Sequence, residues 1–339
     1  MKLSKQPYFG LGKVPIGIGA VIKGWNIPEQ DYHDPEKLPV VDLRVMTSAC
    51  PRDCFHCFTD KQKKDLTLEE IKSIIDQLAE LHTRAIDFLG EGEPTLDEDF
   101  FEIIGYTAKK GIQPIVFTEA ATKMRDIDFV RKIKKTGASI CPKCDSLFNP
   151  EYQNWVVRDK TGKYFEQRNE AINLLIKEGF NKVEKDGTTR LGFVMVISRK
   201  NMHEVEKTLR YCRENNLWVV FNDFLPAGRS GKDSFDRAIM LNEEEKKVLR
   251  KTVERVDKEY GFEHPIYNNF ATMPCVEFIE IWGNGNVSPC DANETIIGNI
   301  RENSIRKLQK KIIEKFPMHD RKTCNGTCPY RPKIPNQNK

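Results

Sequence analysis

The stretch Val40-Val41-Asp42-Leu43-Arg44-Val45, followed shortly by Cys50-Pro-Arg-Asp-Cys54-Phe-His-Cys57, decides the fold. The first six residues are a mostly apolar run that predicts a strand, and the strand feeds directly into a cysteine loop. The loop has the spacing C-x3-C-x2-C. Three thiolates so close together can hold three irons of a [4Fe–4S] cube and leave the fourth iron without a protein ligand. An iron with an open position can bind and activate a small molecule, whereas a four-cysteine cage mainly passes electrons.

Outward from that loop the chain alternates. Thr67 to Leu81 carries helical periodicity, with Leu68, Ile71, Ile74, Ile75 and Leu78 on one side and Thr67/Glu70 as a capping box. Ala85 to Leu89 is a short apolar strand running into Gly90-Glu91-Gly92-Glu93-Pro94. The pattern then predicts helix 99–110, strand 113–118, helix 126–136, strand 138–144, helix 166–178, strand 191–197, helix 202–215 and strand 218–225. Six strands alternating with helices call for parallel βαβ units. Six are too few for a closed eight-stranded barrel. The expected fold is therefore α/β, a partial (β/α)6 TIM-like barrel, with chemistry at the carboxyl ends of its strands.

Near 240–270 the pattern changes to a charged helix and short segments with turn signals, such as Gly283-Asn284-Gly285-Asn286. The expected organisation is an irregular arm at 1–38, the barrel at 39–240 and a small C-terminal domain at 241–339. No stretch approaches the roughly 20 consecutive apolar residues of a membrane span. The N-terminus lacks an apolar signal core, so a cytoplasmic protein is expected. In a reducing compartment, ten cysteines argue for metal or redox chemistry rather than disulfides. Seven fall into two groups, Cys50/Cys54/Cys57 and Cys275/Cys290/Cys324/Cys328.

The formal net charge of +4 is uneven, with residues 301–339 carrying +8. The favoured reading is a solvated helix face around Ile305, Leu308, Ile312 and Ile313. An acidic electron donor, a phosphorylated substrate or RNA are the other partners such a charge would attract. Nucleic acid and membrane partners are not expected.

The triplet after the first strand, the Gly-Glu-Pro turn after the second and the βα repeats between them resemble the radical S-adenosylmethionine (SAM) enzymes. The resemblance implies that SAM binds the open iron and is cleaved to a 5'-deoxyadenosyl radical, which takes a hydrogen atom from a substrate carbon. The electron would come from a flavodoxin- or ferredoxin-type donor. Gly90, Gly92, Glu93 and Pro94 match the turn that grips the methionyl amino group, with Glu93 as the matching acid. The family usually has an aromatic residue before the third cysteine; His56 stands there in this chain, as the adenine contact. Cys275-x14-Cys290-x33-Cys324-x3-Cys328 resembles the SPASM/twitch extension and implies one auxiliary [4Fe–4S] cluster with all its irons ligated. Such a cluster favours electron transfer, hence net two-electron oxidation.

Alternation along Ser139 to Ser146 puts Cys141, Lys143 and Asp145 on one face and Ile140 and Cys144 on the other. Lys143 would meet the cosubstrate carboxylate, and Asp145 or Ser146 its ribose. Cys141 is either a small buried thiol or a hydrogen-atom donor, which would make an epimerase. Glu119, Asp223 and Arg229 are the candidate substrate contacts, and Cys212 is structural. Only about 40 residues precede the barrel, too few for a peptide leader-binding domain, so the expected substrate is a small polar molecule such as a sugar, aminocyclitol or nucleotide derivative. A ribosomal peptide maturase, for cross-linking or epimerisation, is the alternative. RNA modification and a zinc-stabilised, non-enzymatic binding module stand behind it.

Overall fold

The computed structural model describes residues 1–8, 12–32, 34–222, 224, 228–229, 237–263, 279–290 and 293–316. Its strands in chain order are β1 (Val21–Ile22), β2 (Val40–Arg44), β3 (Ala85–Phe88), β4 (Gln113–Thr118), β5 (Ser139–Pro142), β6 (Thr188–Thr189), β7 (Gly192–Val196), β8 (Trp218–Asn222), β9 (Glu280–Trp282), β10 (Asn286–Ser288) and β11 (Gly298–Asn299). The six expected barrel strands are β2, β3, β4, β5, β7 and β8, and they lie side by side in sequence order. Val40 pairs with Ala85, Ala85 with Gln113 and Ile115 with Ser139, all parallel. Parallel bridges Ile140–Leu191 and Lys143–Val194 carry the order on to β7, which pairs along its length with β8. The α/β partial barrel is thus present.

Helices form on the outside for the reasons the sequence suggests. Helix Leu68–Glu80 starts at a complete Thr67/Glu70 capping box and buries Ile71, Ile74, Ile75 and Leu78. Helix Ile127–Thr136 is capped by the Asp126 carboxylate and stops at Gly137, whose φ of 79° suits a residue without a Cβ. These faces and the outward-facing strand residues make one large core that includes Val41, Leu43, Ile86, Phe88, Val116 and Phe193.

Two features go beyond the alternating pattern. The arm at 1–38 is anchored through β1, which pairs parallel to β6, and it buries Val14, Val21, Ile22 and Tyr32 against Val40, Ala85, Ile115 and Trp218. These partners sit at the amino ends of the barrel strands, so the arm plugs the lower end. Trp25 packs on Trp218 at 5.5 Å, and its indole N–H donates to both oxygens of Asp87. The second feature is the C-terminal hairpin. β9 pairs parallel to β2, and one sheet runs β11-β10-β9-β2-β3-β4-β5. Helix Ile305–Lys315 buries Ile305, Leu308 and Ile312, and the Ile305 N–H donates to Gln77 of helix Leu68–Glu80. Its lysines Lys307, Lys310 and Lys315 are exposed. No described helix is long and apolar enough to cross a membrane.

Candidate active site

The cysteine loop leaves the carboxyl end of β2 and is fixed by neighbours on both sides. Inside, the Glu93 N–H donates to the Ala49 carbonyl at 2.8 Å, and Gly92 lies so close that a Cβ would collide with Ala49 and Ser48 backbone. Only glycine allows the turn after β3 to approach this closely. Thr59 donates to the Glu91 carbonyl, and the Gln62 N–H donates to the Glu91 carboxylate. Outside, the Phe55 N–H donates to Val156 at 3.0 Å, at the end of the short helix Pro150–Val156. Gly228, with φ 53°, presses on the Phe58 and Thr59 backbone from the loop after β8.

These segments enclose a cavity of about 200 Å³ at the strand ends. Cys50, Cys54, Cys57, His56, Gly90, Gly92, Glu93, Glu119, Cys141 and Lys143 all line it. Residues from the cysteine loop, the Gly-Glu turn and the ends of β4 and β5 therefore meet in one place. Cys141 and Lys143 share the wall while Cys144 packs in the outer core, as alternation along β5 requires. Among the described residues no three Cys, His, Asp or Glu side chains converge closely enough to hold a single metal ion.

The thiols suit a cluster. Burial pushes the Cys50 thiol up and Cys54 up to about 12. Buried thiols of this kind give up their protons to a metal, and three soft thiolates around a cavity match an iron–sulfur group. Two buried polar atoms near the wall also call for an absent partner: His56 Nε2 and Asp145 Oδ2 have no hydrogen-bond partner among the described residues. His56 stands 3.5 Å from Asp145 Oδ1, and burial with the Lys143 ammonium lowers its pKa to about 4, so the ring is neutral. Burial works against ionised Asp145, but Lys143 at 3.6 Å and the Val196 N–H outweigh it, leaving its pKa below the usual value.

Glu93 is placed differently from the sequence expectation of a carboxylate free to meet an ammonium. Its oxygens accept hydrogen bonds from the Thr95 N–H and hydroxyl, the Thr118 hydroxyl and the Glu119 N–H. Burial and the Glu119 carboxylate raise its pKa to about 7. Glu119 in turn accepts from Arg52 Nε at 2.9 Å, and Arg52 lies over the Tyr164 ring. Pro94 is buried at the start of a 3-10 turn and does not line the cavity.

Ser146 also lies away from the wall: its hydroxyl donates to buried Glu204, and its N–H to Gln153. Asp145 sits behind Lys143 and His56 rather than on the wall. Arg229 is off the cavity, paired with Asp53 of the cysteine loop. Cys141 is buried at the wall, and burial and Asp87 push its thiol well up, so it stays protonated. Asp223, Cys275, Cys324 and Cys328 lie outside the described residues. Cys290 is half-buried just past β10.

Sequence reasoning missed two arginines. Arg52, inside the triplet, latches the loop to Glu119. Arg44, buried in β2, pairs with Glu91 at 3.5 Å and with Glu280 of β9, and its guanidinium lies over Phe58 and Trp282. It joins the cysteine loop, the Gly-Glu turn and the C-terminal hairpin. The signal was available: a buried parallel strand carries a charge only when that charge has a partner.

The profile of the Radical SAM superfamily matches residues 45–212, from just after β2 into the helix before β8. The chain is 25% identical over 203 residues to Fe-coproporphyrin III synthase of Methanosarcina barkeri, covering 58% of this chain and 47% of that one. This chain thus spans about half the length of that relative. It is 22% identical over 275 residues to PqqA peptide cyclase of Bradyrhizobium diazoefficiens, covering 77% and 69%. A solved structure described as native anSMEcpe with bound AdoMet and Cp18Cys peptide superposes with a TM-score of 0.61 at 18% identity, covering 84% of this chain and 85% of that one. The fold, the thiol-lined cavity at its strand ends and the matched segment agree: residues 45–212 are a radical SAM domain.

Proposed function

We propose that the chain is a peptide maturase, which takes a hydrogen atom from a side chain of a peptide and oxidises it by two electrons, forming a ring or cross-link. The observation that carries this reading is the state of the cavity wall. Apart from Lys143, which the cosubstrate carboxylate would take, its described charged groups are already held by the protein: Arg52 by Glu119, Glu91 by Arg44, Glu93 by Thr95 and Thr118, and Lys61 by the Arg52 carbonyl. The rest of the wall is largely apolar, from Leu89, Phe117, Cys141, Val194 and Val196. A nucleotide or sugar phosphate calls for uncommitted charges, while a peptide side chain does not. The similarity to a peptide cyclase points the same way. The small polar substrate expected from sequence therefore has less support.

The radical SAM family uses a [4Fe–4S] cluster and SAM, which together supply the hydrogen-abstracting radical. In this reading Cys50, Cys54 and Cys57 hold the cluster. The turn Gly90–Gly92 offers its backbone to the methionyl amino group, because the Glu93 carboxylate is occupied in bracing that turn. Lys143 faces the methionyl carboxylate, with Asp145 orienting it, and His56 flanks the adenine. Cys141 keeps its proton at the wall beside the reacting carbon. Cys275, Cys290, Cys324 and Cys328 hold an auxiliary cluster that accepts the second electron. The test is anaerobic protein with SAM, a reductant and a library of deuterated peptides. Deuterium in 5'-deoxyadenosine and a peptide lighter by two hydrogens are expected. Turnover with free metabolites but no peptide overturns the substrate, while 5'-deoxyadenosine from the Cys50/Cys54/Cys57→Ala variant overturns the site.

A further inference from the structure

The inner side of the cysteine loop is the wall of the cavity that cosubstrate and substrate must fill. An electron delivered by a protein must therefore arrive from the outer side, and that side has a distinct composition. Trp155 is 41% exposed, and it is the only aromatic among the exposed large apolar side chains of the described residues. Its ring packs on Phe55 at 4.4 Å between centroids, and Phe55 is covalently joined to Cys54. Tyr152 stacks behind at 5.8 Å. Two backbone hydrogen bonds, from Asp53 to Val157 and from Phe55 to Val156, strap this helix to the cysteine loop. An aromatic path thus runs from solvent to a thiol of the triplet.

The rim of this path is basic. Lys200 Nζ stands 5.3 Å over the Trp155 ring, and the Arg158 guanidinium lies 4.3 Å over Phe55. The turn 158–163 folds back on Asn154, bonded through the Gly162 carbonyl and the Asp159 N–H. That turn carries exposed Lys160 and Lys163 and is tied to Asn154, the chain neighbour of Trp155. The acids nearby are largely spent: Asp53 pairs with Arg158 and Arg229, and Asp159 accepts from Thr161, Lys163 and Tyr164. Exposed Glu151 is the exception.

We propose that Trp155, Phe55 and the surrounding cations Arg158, Lys160, Lys163 and Lys200 are the docking surface for an acidic, one-electron carrier protein. A single electron leaves the reduced carrier, which is oxidised by one, and enters the cluster of Cys50, Cys54 and Cys57, which is reduced by one. No bond forms or breaks. An exposed ring framed by lysines complements an acidic partner, and long-range attraction speeds such encounters. The proposal rests on the reading of the triplet as cluster ligands.

Anaerobic stopped-flow of the reconstituted holoenzyme tests it, following cluster reduction by reduced flavodoxin, by reduced plant-type ferredoxin and by dithionite. Trp155→Ala and Lys160→Glu/Lys200→Glu should slow reduction by a carrier roughly tenfold or more, and the wild-type rate should fall with salt. Trp155→Phe should recover most of the rate. Reduction by dithionite should be unchanged in every variant. Wild-type carrier rates in all variants overturn the proposal, as does a wild type that neither carrier reduces. A variant slowed equally with dithionite assigns Trp155 to structure instead. Loss of peptide binding with the carrier rate intact assigns the surface to the substrate. A wild type that holds no iron and sulfide defeats the cluster reading itself, before any variant is compared.

Discussion

On its inner side the cysteine loop meets backbone, glycine and buried charge; on its outer side it meets a helix end and aromatic rings. The inner contacts are close and polar: Gly92 against Ala49, Glu91 accepting from Gln62, and Arg44 spanning Glu91 and Glu280. The outer contacts are two strap hydrogen bonds and the Phe55–Trp155 stack, open to water. The difference teaches where the loop is held and where it is reached. Buried charges and close backbone contacts tolerate little change, because each removed group leaves a partner unsatisfied. An exposed stack tolerates much more.

The comparison breaks first at Arg44. Arg44→Met leaves the Glu91 and Glu280 carboxylates buried without their cation, and breaking such a pair costs about 3–5 kcal/mol. Urea unfolding of the apo protein should show that loss, and Arg44→Met/Glu280→Gln should recover part of it. If Arg44→Met is as stable as the wild type, the inner side is not held by charge. Gly92→Ala comes next. The new methyl forces the turn away from Ala49 and Ser48, at about 1–3 kcal/mol for overpacking. The displaced turn should also lower iron incorporation, measured as iron per chain after reconstitution. Full iron and unchanged stability in this variant would show that the close approach is dispensable.

Much of this was legible in the sequence because the signals are local. Alternating periodicities gave the six parallel strands, and C-x3-C-x2-C with Gly90-Glu91-Gly92-Glu93-Pro94 located the cavity, since strand ends in such a barrel share one rim. Side-chain commitments were not legible. Glu93 has a ligand-like position in the motif, but its oxygens are taken by Thr95, Thr118 and the Glu119 N–H, contacts that depend on two other strand ends. Ser146 follows Asp145 just beyond the strand end, yet Glu204 at the start of a later helix captures it. The joining of β9 to β2 brings together residues more than 230 positions apart, beyond the range of any periodicity. Trp155 was invisible because a short helix with one exposed aromatic carries no motif.

A buried carboxylate below the cavity sharpens the contrast through pH. Burial raises Asp87 from the usual 3.8 to about 7, although the Trp25 indole N–H bonds to it. The folded chain therefore keeps a proton on Asp87 through a window in which the unfolded chain has released it. Stability from this group is present below about pH 4 and is lost as pH rises towards 7, levelling off above. Between pH 5 and 8 the melting temperature of the wild type should fall relative to Asp87→Asn, by several degrees. Parallel melting curves across that range would mean that Asp87 is ionised in the folded chain and compensated.

A smaller effect on stability than that of Arg44→Met belongs to the outer side. Trp155→Ala removes an aromatic contact worth about 0.5–1.5 kcal/mol beyond its buried area, and the ring is already partly in water. Counting also the part of the ring that is out of water, calorimetry of the apo protein should show a loss of about 2 kcal/mol, still below that of Arg44→Met. The two backbone straps remain, since neither uses the Trp155 side chain. A loss of Arg44 size would make the outer stack part of what holds the loop and erase the distinction between the two sides. A smaller loss leaves a tryptophan whose exposure stability does not explain, positioned one ring from Cys54, and its role then lies in what approaches from solvent.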